Sequence, residues 1–153
     1  MKYIRLPYGE GAIQCNVAEG KILSVIKPKR MPPVKNATHV IEKAIKKPIN
    51  SPALEELAEE SRRPCIIISD STRPTPSGLI VDSILPVLKR AGIEDESIMI
   101  VVATGLHRPC TRIELIERLG RGILKRFKVI NHDAYDNDNL ANLGHTSTGT
   151  PLW

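Results

Sequence analysis

One stretch of the sequence decides the fold: CIIISDSTRPTPSGLIVDSILPVLKRAGIEDESIMIVVA, residues 65–103. Its two short apolar runs, CIIIS and SIMIVVA, begin about 32 positions apart, close to the roughly 30 residues that a strand–helix–strand unit occupies. The first run is β-branched and does not alternate between polar and apolar positions, which predicts a strand buried on both faces. The stretch therefore predicts two parallel strands joined by a helix.

The segment between the two runs, GLIVDSILPVLKRAG, has the pattern of an amphipathic helix. Pro86 predicts a bend within it, and Gly92 predicts its end. Its apolar positions recur at helical spacing, which predicts one buried face. The residues predicted on that face are Ile80, Ile84, Val87, Leu88 and Ala91.

A second helix and a third strand follow this unit. Thr111 and Glu114 have the spacing of a capping box, which predicts a helix start, and Gly120 predicts the end of that helix. A short helical turn, RGILKRF, then precedes the strand KVIN. The β-α-β-α-β order predicts a parallel sheet with right-handed crossovers. We expect an α/β fold, a Rossmann-like three-layer parallel sheet with an N-terminal β region.

The N-terminal part has a different pattern. Three strands are predicted within residues 1–27, namely KYIRL, AIQCNV and KILSVI, separated by turns. The proline-rich segment PKRMPPVKN predicts a connector, because proline fits neither a helix interior nor a central strand. We therefore expect an N-terminal β region with a basic connector over residues 1–48 and a parallel α/β part over residues 49–153, treated as one domain.

Two short helices are predicted near this boundary. The first covers Thr38–Lys46, and Pro48 ends it. The second, PALEELAEES, is predicted to begin with Ser51 as N-cap and Pro52 at the first helical position.

Composition excludes several classes of protein. The chain has 153 residues and a net charge of +5, and only 3% of its residues are aromatic. Between Lys21 and Lys47 the sequence has eight Lys or Arg and one acidic residue. This excess of positive charge favours a solvated basic surface, with an anionic ligand or an acidic partner as the alternative.

Nucleic acid is not expected as a partner, because proteins that bind single strands need aromatic side chains on which bases stack, and this chain has few. No apolar stretch is long enough to cross a membrane, and three widely spaced cysteines predict a reduced, cytoplasmic protein.

Polar residues follow each predicted strand of the sheet, where ligands of open parallel sheets bind. Asp70, Thr72 and Arg73 follow the first strand, whereas Gly105 and His107 follow the second. A carboxylate, a guanidinium and imidazoles at one sheet edge predict a site for a small anionic substrate. His132 and Asp133, which follow the third strand, are weaker candidates, and His39 and His145 are expected at the surface.

Several of these residues have simpler interpretations. Asp70 would also serve as a hydrogen-bond acceptor for its own turn, and Arg108 either pairs with a nearby acid or faces solvent. The histidines lack metal-ligand spacing, so no metal site is expected within this chain. P-loop, G-x-G-x-x-G and G-x-S-x-G motifs are absent from the sequence.

The two loop motifs, DSTRPTPS at residues 70–77 and ATGLHRP at residues 103–109, resemble those of the lactate racemase family. The resemblance extends to ILPVLKRAGI and NHDAYD and covers about residues 50–151. It implies a 2-hydroxyacid racemase or epimerase that uses a nickel-pincer nucleotide, a pyridinium-derived mononucleotide carrying Ni. In that family a histidine removes the hydroxyl proton while the α-hydride moves to the pincer ring, and both return to either face.

The resemblance also implies roles for individual residues. His107 matches one of the two acid–base histidines, Arg73 the arginine that steadies the substrate carboxylate, and Asp70 the aspartate that orients the loop. Thr72 and Gly105 match positions that approach the cofactor. The family's cofactor-anchoring lysine, nickel-binding histidine and second catalytic histidine lie beyond the matching region.

We therefore expect this chain to need a further part of the enzyme, in cis or in trans, and to be inactive alone. The alternative is a non-catalytic anion- or nucleotide-binding module. A homo-oligomer is a further expectation, because a domain that lacks neighbouring strands exposes apolar edges.

Overall fold

The computed structural model describes residues 2–153. The chain forms two compact units, Met1–Val34 and Lys35–Trp153. The predicted boundary at residue 48 stays a prediction; the two units divide between residues 34 and 35. Among the described residues, no helix has both the length and the apolar composition needed to cross a bilayer.

The first unit is a β-hairpin. Strands β1, Lys2–Tyr8, and β2, Gly11–Val17, pair in antiparallel register, and a 3-10 turn at Glu19–Lys21 follows. The third predicted strand, KILSVI, is wrong: this segment has no ladder, and Leu23 and Ile26 are fully or almost fully exposed. Its apolar, β-branched residues have no neighbouring strand to pair with, so composition alone did not produce a strand. The connector prediction is confirmed.

The second unit contains the remaining helices and strands. In chain order they are α1 Ala37–Lys46, α2 Leu54–Glu59, β3 Cys65–Ser69, α3 Ser77–Arg90, β4 Met99–Ala103, α4 Arg112–Arg126, β5 Lys128–Asn131, β6 Gly144–His145 and β7 Pro151–Leu152. The short antiparallel pair β6–β7 was not predicted.

The central sheet has the order β3-β4-β5, and both pairs of strands are parallel. The α/β class with a parallel sheet is therefore confirmed. Helices α3 and α4 pack against one another and share one core with Ile68, Ile100 and Val102 of the sheet. The opposite face is more open, since the side chain of Ile67 is 70% exposed. The prediction that the first strand is buried on both faces is wrong, because burial alternates along it.

The predicted apolar face of α3 is confirmed in part. Val87 and Leu88 are buried as predicted, whereas Ile80, Ile84 and Ala91 are only half-buried. Val81 and Leu85, which were not predicted, lie in the core. Both apolar sets fit a helical repeat, so periodicity alone did not select between them. Gly92 takes a positive φ just after the helix, as predicted.

Of the two predicted helix N-terminal caps, that of α2 is wrong and that of α4 is confirmed. Helix α2 begins at Leu54 with Ala53 as N-cap, so the cap predicted at Ser51 is wrong; the Ser51 hydroxyl bonds the Pro52 carbonyl instead. Helix α4 has the predicted capping box, with Thr111 and Glu114 bonding each other's backbone N–H groups. Gly120 ends its first segment with a φ of 81°, also as predicted.

Candidate functional site

Two loops follow neighbouring parallel strands and form the candidate site. The first loop, residues 70–76, follows β3, and the second loop, residues 104–111, follows β4. Ser69 and Ala103 are partners in the parallel register, so both loops leave the same edge of the sheet. This arrangement brings chemistry from distant parts of the chain together.

Asp70 is the buried acid of the site. Its side chain is 6% exposed, and one carboxylate oxygen accepts hydrogen bonds from the Thr72 hydroxyl at 2.7 Å and the Thr72 backbone N–H at 3.2 Å. The other oxygen lies 2.5 Å from Nδ1 of His107. These bonds, that of the Thr72 hydroxyl first, lower the pKa of Asp70 to about 2. The group is therefore a carboxylate at neutral pH.

His107 is the exposed partner of this acid. Its side chain is 55% exposed, and its backbone N–H closes a turn onto the Thr104 carbonyl. Gly105 takes a φ of +57° within this turn, a conformation that side-chain-bearing residues rarely adopt. An ionised carboxylate only accepts hydrogen bonds, so Nδ1 of His107 carries the hydrogen. In the neutral ring Nε2 is then the basic nitrogen.

Arg73 borders the same crevice as this pair. A cavity of about 600 Å³ is lined by Asp70, Arg73, Gly105 and His107, together with the apolar Ile67. Arg73 is exposed and forms no ion pair with any residue in the described part of the chain. Its guanidinium is therefore available to an anion, and a guanidinium suits bidentate contact with a carboxylate.

Thr72 is bonded to the acid of its own loop. Its hydroxyl and N–H are directed to Asp70, and it is not among the residues that line the crevice. In this structure Thr72 holds the acid in place. Its predicted approach to a cofactor stays a prediction, as does that of Gly105, whose added Cβ would meet nothing within 4 Å.

Arg108 is held by an acid beside the second loop. Its guanidinium makes two hydrogen bonds to the carboxylate of Glu114, at 2.8 and 2.9 Å. This pair raises the pKa of Arg108 and lowers that of Glu114. Of the two interpretations of Arg108, pairing with a nearby acid is the one observed.

His132 stands next to the site. It lines a cavity of about 230 Å³ together with His107, while its carbonyl accepts a hydrogen bond from the Thr104 hydroxyl. Asp133 accepts a hydrogen bond from the Tyr135 backbone, so it caps its own turn. His39 and His145 are exposed, as expected.

Two side chains that support the loops carry no sequence motif. Asn131, the last residue of β5, accepts a hydrogen bond from the Cys110 N–H and donates one to the Cys110 carbonyl. Arg118, on α4, donates to the Arg73 carbonyl. Both contacts join residues at least 21 positions apart, so no local pattern identified them.

No group of three or more His, Cys, Asp or Glu within residues 2–153 is arranged to hold a metal ion. The described residues form a parallel α/β domain whose strand ends carry an acid–imidazole pair and an arginine without an ion pair beside one crevice.

This class of domain is matched by a known family. Residues 8–153 match the model of the lactate racemase N-terminal domain, so the chain belongs to that family. The family predicted from the loop motifs is confirmed.

Two relatives are named lactate racemase. That of Lactiplantibacillus plantarum is 38% identical over 109 residues, which are 71% of this chain and 26% of the relative. That of Thermoanaerobacterium thermosaccharolyticum is 26% identical over 154 residues, covering 99% of this chain and 36% of the relative. The chain thus spans about a quarter to a third of the length of these relatives.

Solved structures agree with the fold. The lactate racemase apoprotein from T. thermosaccharolyticum superposes with a TM-score of 0.75 at 27% identity, over 99% of this chain and 35% of that protein. A Thermotoga maritima protein superposes with a TM-score of 0.52 at 21% identity, over 71% of this chain and 24% of that one, and shows the fold alone.

Proposed function

We propose that this chain forms the acid–base and carboxylate-binding part of an enzyme that interconverts stereoisomers of a small 2-hydroxy acid. One observation carries the proposal: the buried carboxylate of Asp70 holds Nδ1 of the exposed His107, beside the unpaired guanidinium of Arg73. Family membership supports the reaction class, because the relatives are named lactate racemase.

In the proposed mechanism, Arg73 holds the substrate carboxylate through two parallel N–H···O bonds. This contact directs the 2-hydroxyl group toward Nε2 of His107, which accepts the hydroxyl proton as the alcohol becomes a ketone. The carboxylate of Asp70 stabilises the positive charge that develops on the ring. His107 returns the proton to the oxygen when the original stereoisomer forms again. The opposite stereoisomer requires the ketone to present its other face, where the second acid–base histidine implied by the resemblance would supply the proton.

The cofactor proposed from the resemblance is a nickel-pincer nucleotide, which supplies the hydride acceptor when bound. The crevice of about 600 Å³ has room beside His107, but the described residues contain no cluster that would ligate nickel. We therefore propose that the metal ligands and the anchoring lysine come from a further part of the enzyme, in cis or in trans. The chain by itself is then expected to be inactive, and we propose a cytoplasmic location.

The reaction class is tested by racemising L-lactate in D₂O with the complete, cofactor-loaded enzyme, in which this chain is combined with the further part. Hydride transfer predicts D-lactate that retains the original hydrogen at C2, because a hydride does not exchange with solvent. Deuterium at C2, measured by mass spectrometry, would contradict the proposal and indicate proton abstraction from carbon. Binding of lactate without any racemisation would favour the alternative, a non-catalytic anion-binding module.

The role of Arg73 has a matched control. Arg73→Gln should lower kcat/KM by at least about tenfold, since hydrogen bonds to charged groups contribute roughly 1.5–3 kcal/mol. Arg112→Gln removes an exposed arginine outside the crevice and should leave kcat/KM unchanged. Equal losses in the two variants would indicate a general charge effect and not a carboxylate contact.

A further inference from the structure

One guanidinium fixes the first loop at three points. Nη1 of Arg118 donates to the Arg73 carbonyl at 2.8 Å, and Nη2 donates to the hydroxyl of Ser69 at 3.1 Å and that of Ser77 at 3.4 Å. Ser69 ends β3, Arg73 lies in the middle of the first loop, and Ser77 begins α3. The loop is therefore held at its start, middle and end by a residue from α4.

The contacts of Arg118 are unusual for a stabilising ion pair. All three acceptors are neutral oxygens, and Arg118 forms no ion pair with any residue in the range 2–153. Its Nε is buried without a hydrogen-bond partner. A buried donor left unpaired costs free energy, which a purely stabilising role would not require. The arrangement is better explained by the position that it gives to the loop.

A second feature fixes the same geometry. A Cβ added to Gly78 would lie 2.6 Å from the Arg118 carbonyl oxygen and 3.4 Å from Cα of Leu119. The first turn of α3 thus rests directly on the backbone of the residue that carries the guanidinium. Any side chain at position 78 would push the two helices apart and move the guanidinium away from the loop.

The backbone of Arg73 is consequently held on both sides. Its N–H donates to the Asp70 carbonyl at 3.3 Å, and its carbonyl accepts from Arg118. The Cα of Arg73 is fixed between these bonds, which limits the directions that its side chain can take. Preorganisation of this kind lowers the entropic cost of binding a ligand.

We propose that Arg118 is a positioning residue that directs Arg73 toward the substrate carboxylate. The proposal rests on the proposed function for the role of Arg73, but its structural part concerns only the first loop. A lysine at position 118 would keep the charge and supply a single nitrogen. It could not reproduce the planar fork that spans three acceptors.

The test uses this chain with sodium L-lactate and, separately, sodium sulfate, followed by NMR at the amides of Thr72 and Arg73. Arg118→Lys, Arg118→Gln and Gly78→Ala should each bind both anions about tenfold more weakly or worse. Amide exchange in residues 70–76 should be faster in each variant. Arg121→Gln is the matched control, an exposed arginine of the same helix, and should match the unsubstituted chain.

The outcomes separate the two proposals. Full rescue of affinity and exchange by Arg118→Lys would overturn the positioning role, because charge alone would then suffice. If Arg73→Gln binds both anions as tightly as the unsubstituted chain, the carboxylate site of the proposed function fails. Faster exchange confined to the first loop in Arg118→Lys would in that case support only the structural part of the proposal, that Arg118 holds the first loop. If Arg118→Gln does not fold, the lysine variant and Gly78→Ala decide the result.

Discussion

The first and second loops leave the same sheet edge but differ in how exposed their functional side chains are and in which element supports them. The acid of the first loop is buried, with a side chain 6% exposed, whereas the imidazole of the second loop is 55% exposed. The first loop is tied to α4 through Arg118, and the second to β5 through Asn131. The difference fits the proposed function, in which the first loop holds a fixed charge and the second loop presents the imidazole that exchanges protons.

Removing the presented group should have the largest effect. In the complete, cofactor-loaded enzyme, His107→Ala should depress racemisation at least about 10²-fold, because a positioned acid–base group contributes roughly 10²–10⁴-fold. His107→Gln should behave similarly, since an amide cannot cycle a proton. The melting temperature should barely change, because the ring is more than half exposed.

Activity per folded molecule, measured beside thermal unfolding, checks this prediction. A variant that loses stability but keeps its turnover would place His107 among the structural residues.

The fixed charge of the first loop predicts a pH dependence of stability. The pKa of Asp70 is lowered from 3.8 to about 2, so its contribution to stability is present above pH 4 and is lost as pH falls toward 2. The difference in unfolding free energy between the unsubstituted chain and Asp70→Asn should therefore shrink over that interval. Urea unfolding at a series of pH values measures it, and a difference independent of pH would contradict the assignment.

Cutting the anchor of the second loop should destabilise the chain. Asn131→Ala leaves the N–H and carbonyl of Cys110 without their side-chain partner, at a cost of about 1–3 kcal/mol. Asn139→Ala is the control, because it removes a hydrogen bond between exposed side chains and should cost less. Urea denaturation compares the two variants, and equal costs would remove the special role of Asn131.

The basic segment should matter least. Lys27, Lys29 and Lys35 are exposed. Changing all three to Gln should leave kcat/KM within a few-fold. A loss above about 100-fold with the fold intact, equivalent to about 2.7 kcal/mol, would move this segment into the substrate site.

The sequence predicted the parts of this molecule that depend on local patterns. The runs CIIIS, MIVVA and KVIN became parallel strands, and the Thr111–Glu114 capping box formed as expected. The sequence also predicted that Asp70 and His107 each follow a parallel strand, and in the structure the pairing of these strands brings the two side chains into contact.

What the sequence did not predict depends on tertiary partners. The strand expected at KILSVI lacks a neighbour, and Ile67 is exposed although its run is apolar throughout. Arg118 and Asn131 each form hydrogen bonds with residues far away in the sequence, and no local sequence pattern predicts these contacts. Side-chain contacts between residues so far apart in the sequence depend on how the helices and strands pack, and this packing cannot be read from one sequence.

A crystal structure of this chain grown with a high concentration of L-lactate tests the central claim most directly. The account predicts the lactate carboxylate on the guanidinium of Arg73 and the 2-hydroxyl within hydrogen-bond distance of Nε2 of His107, with Asp70 still on Nδ1. Lactate bound elsewhere, or a crevice filled by the loops' own side chains, would contradict it.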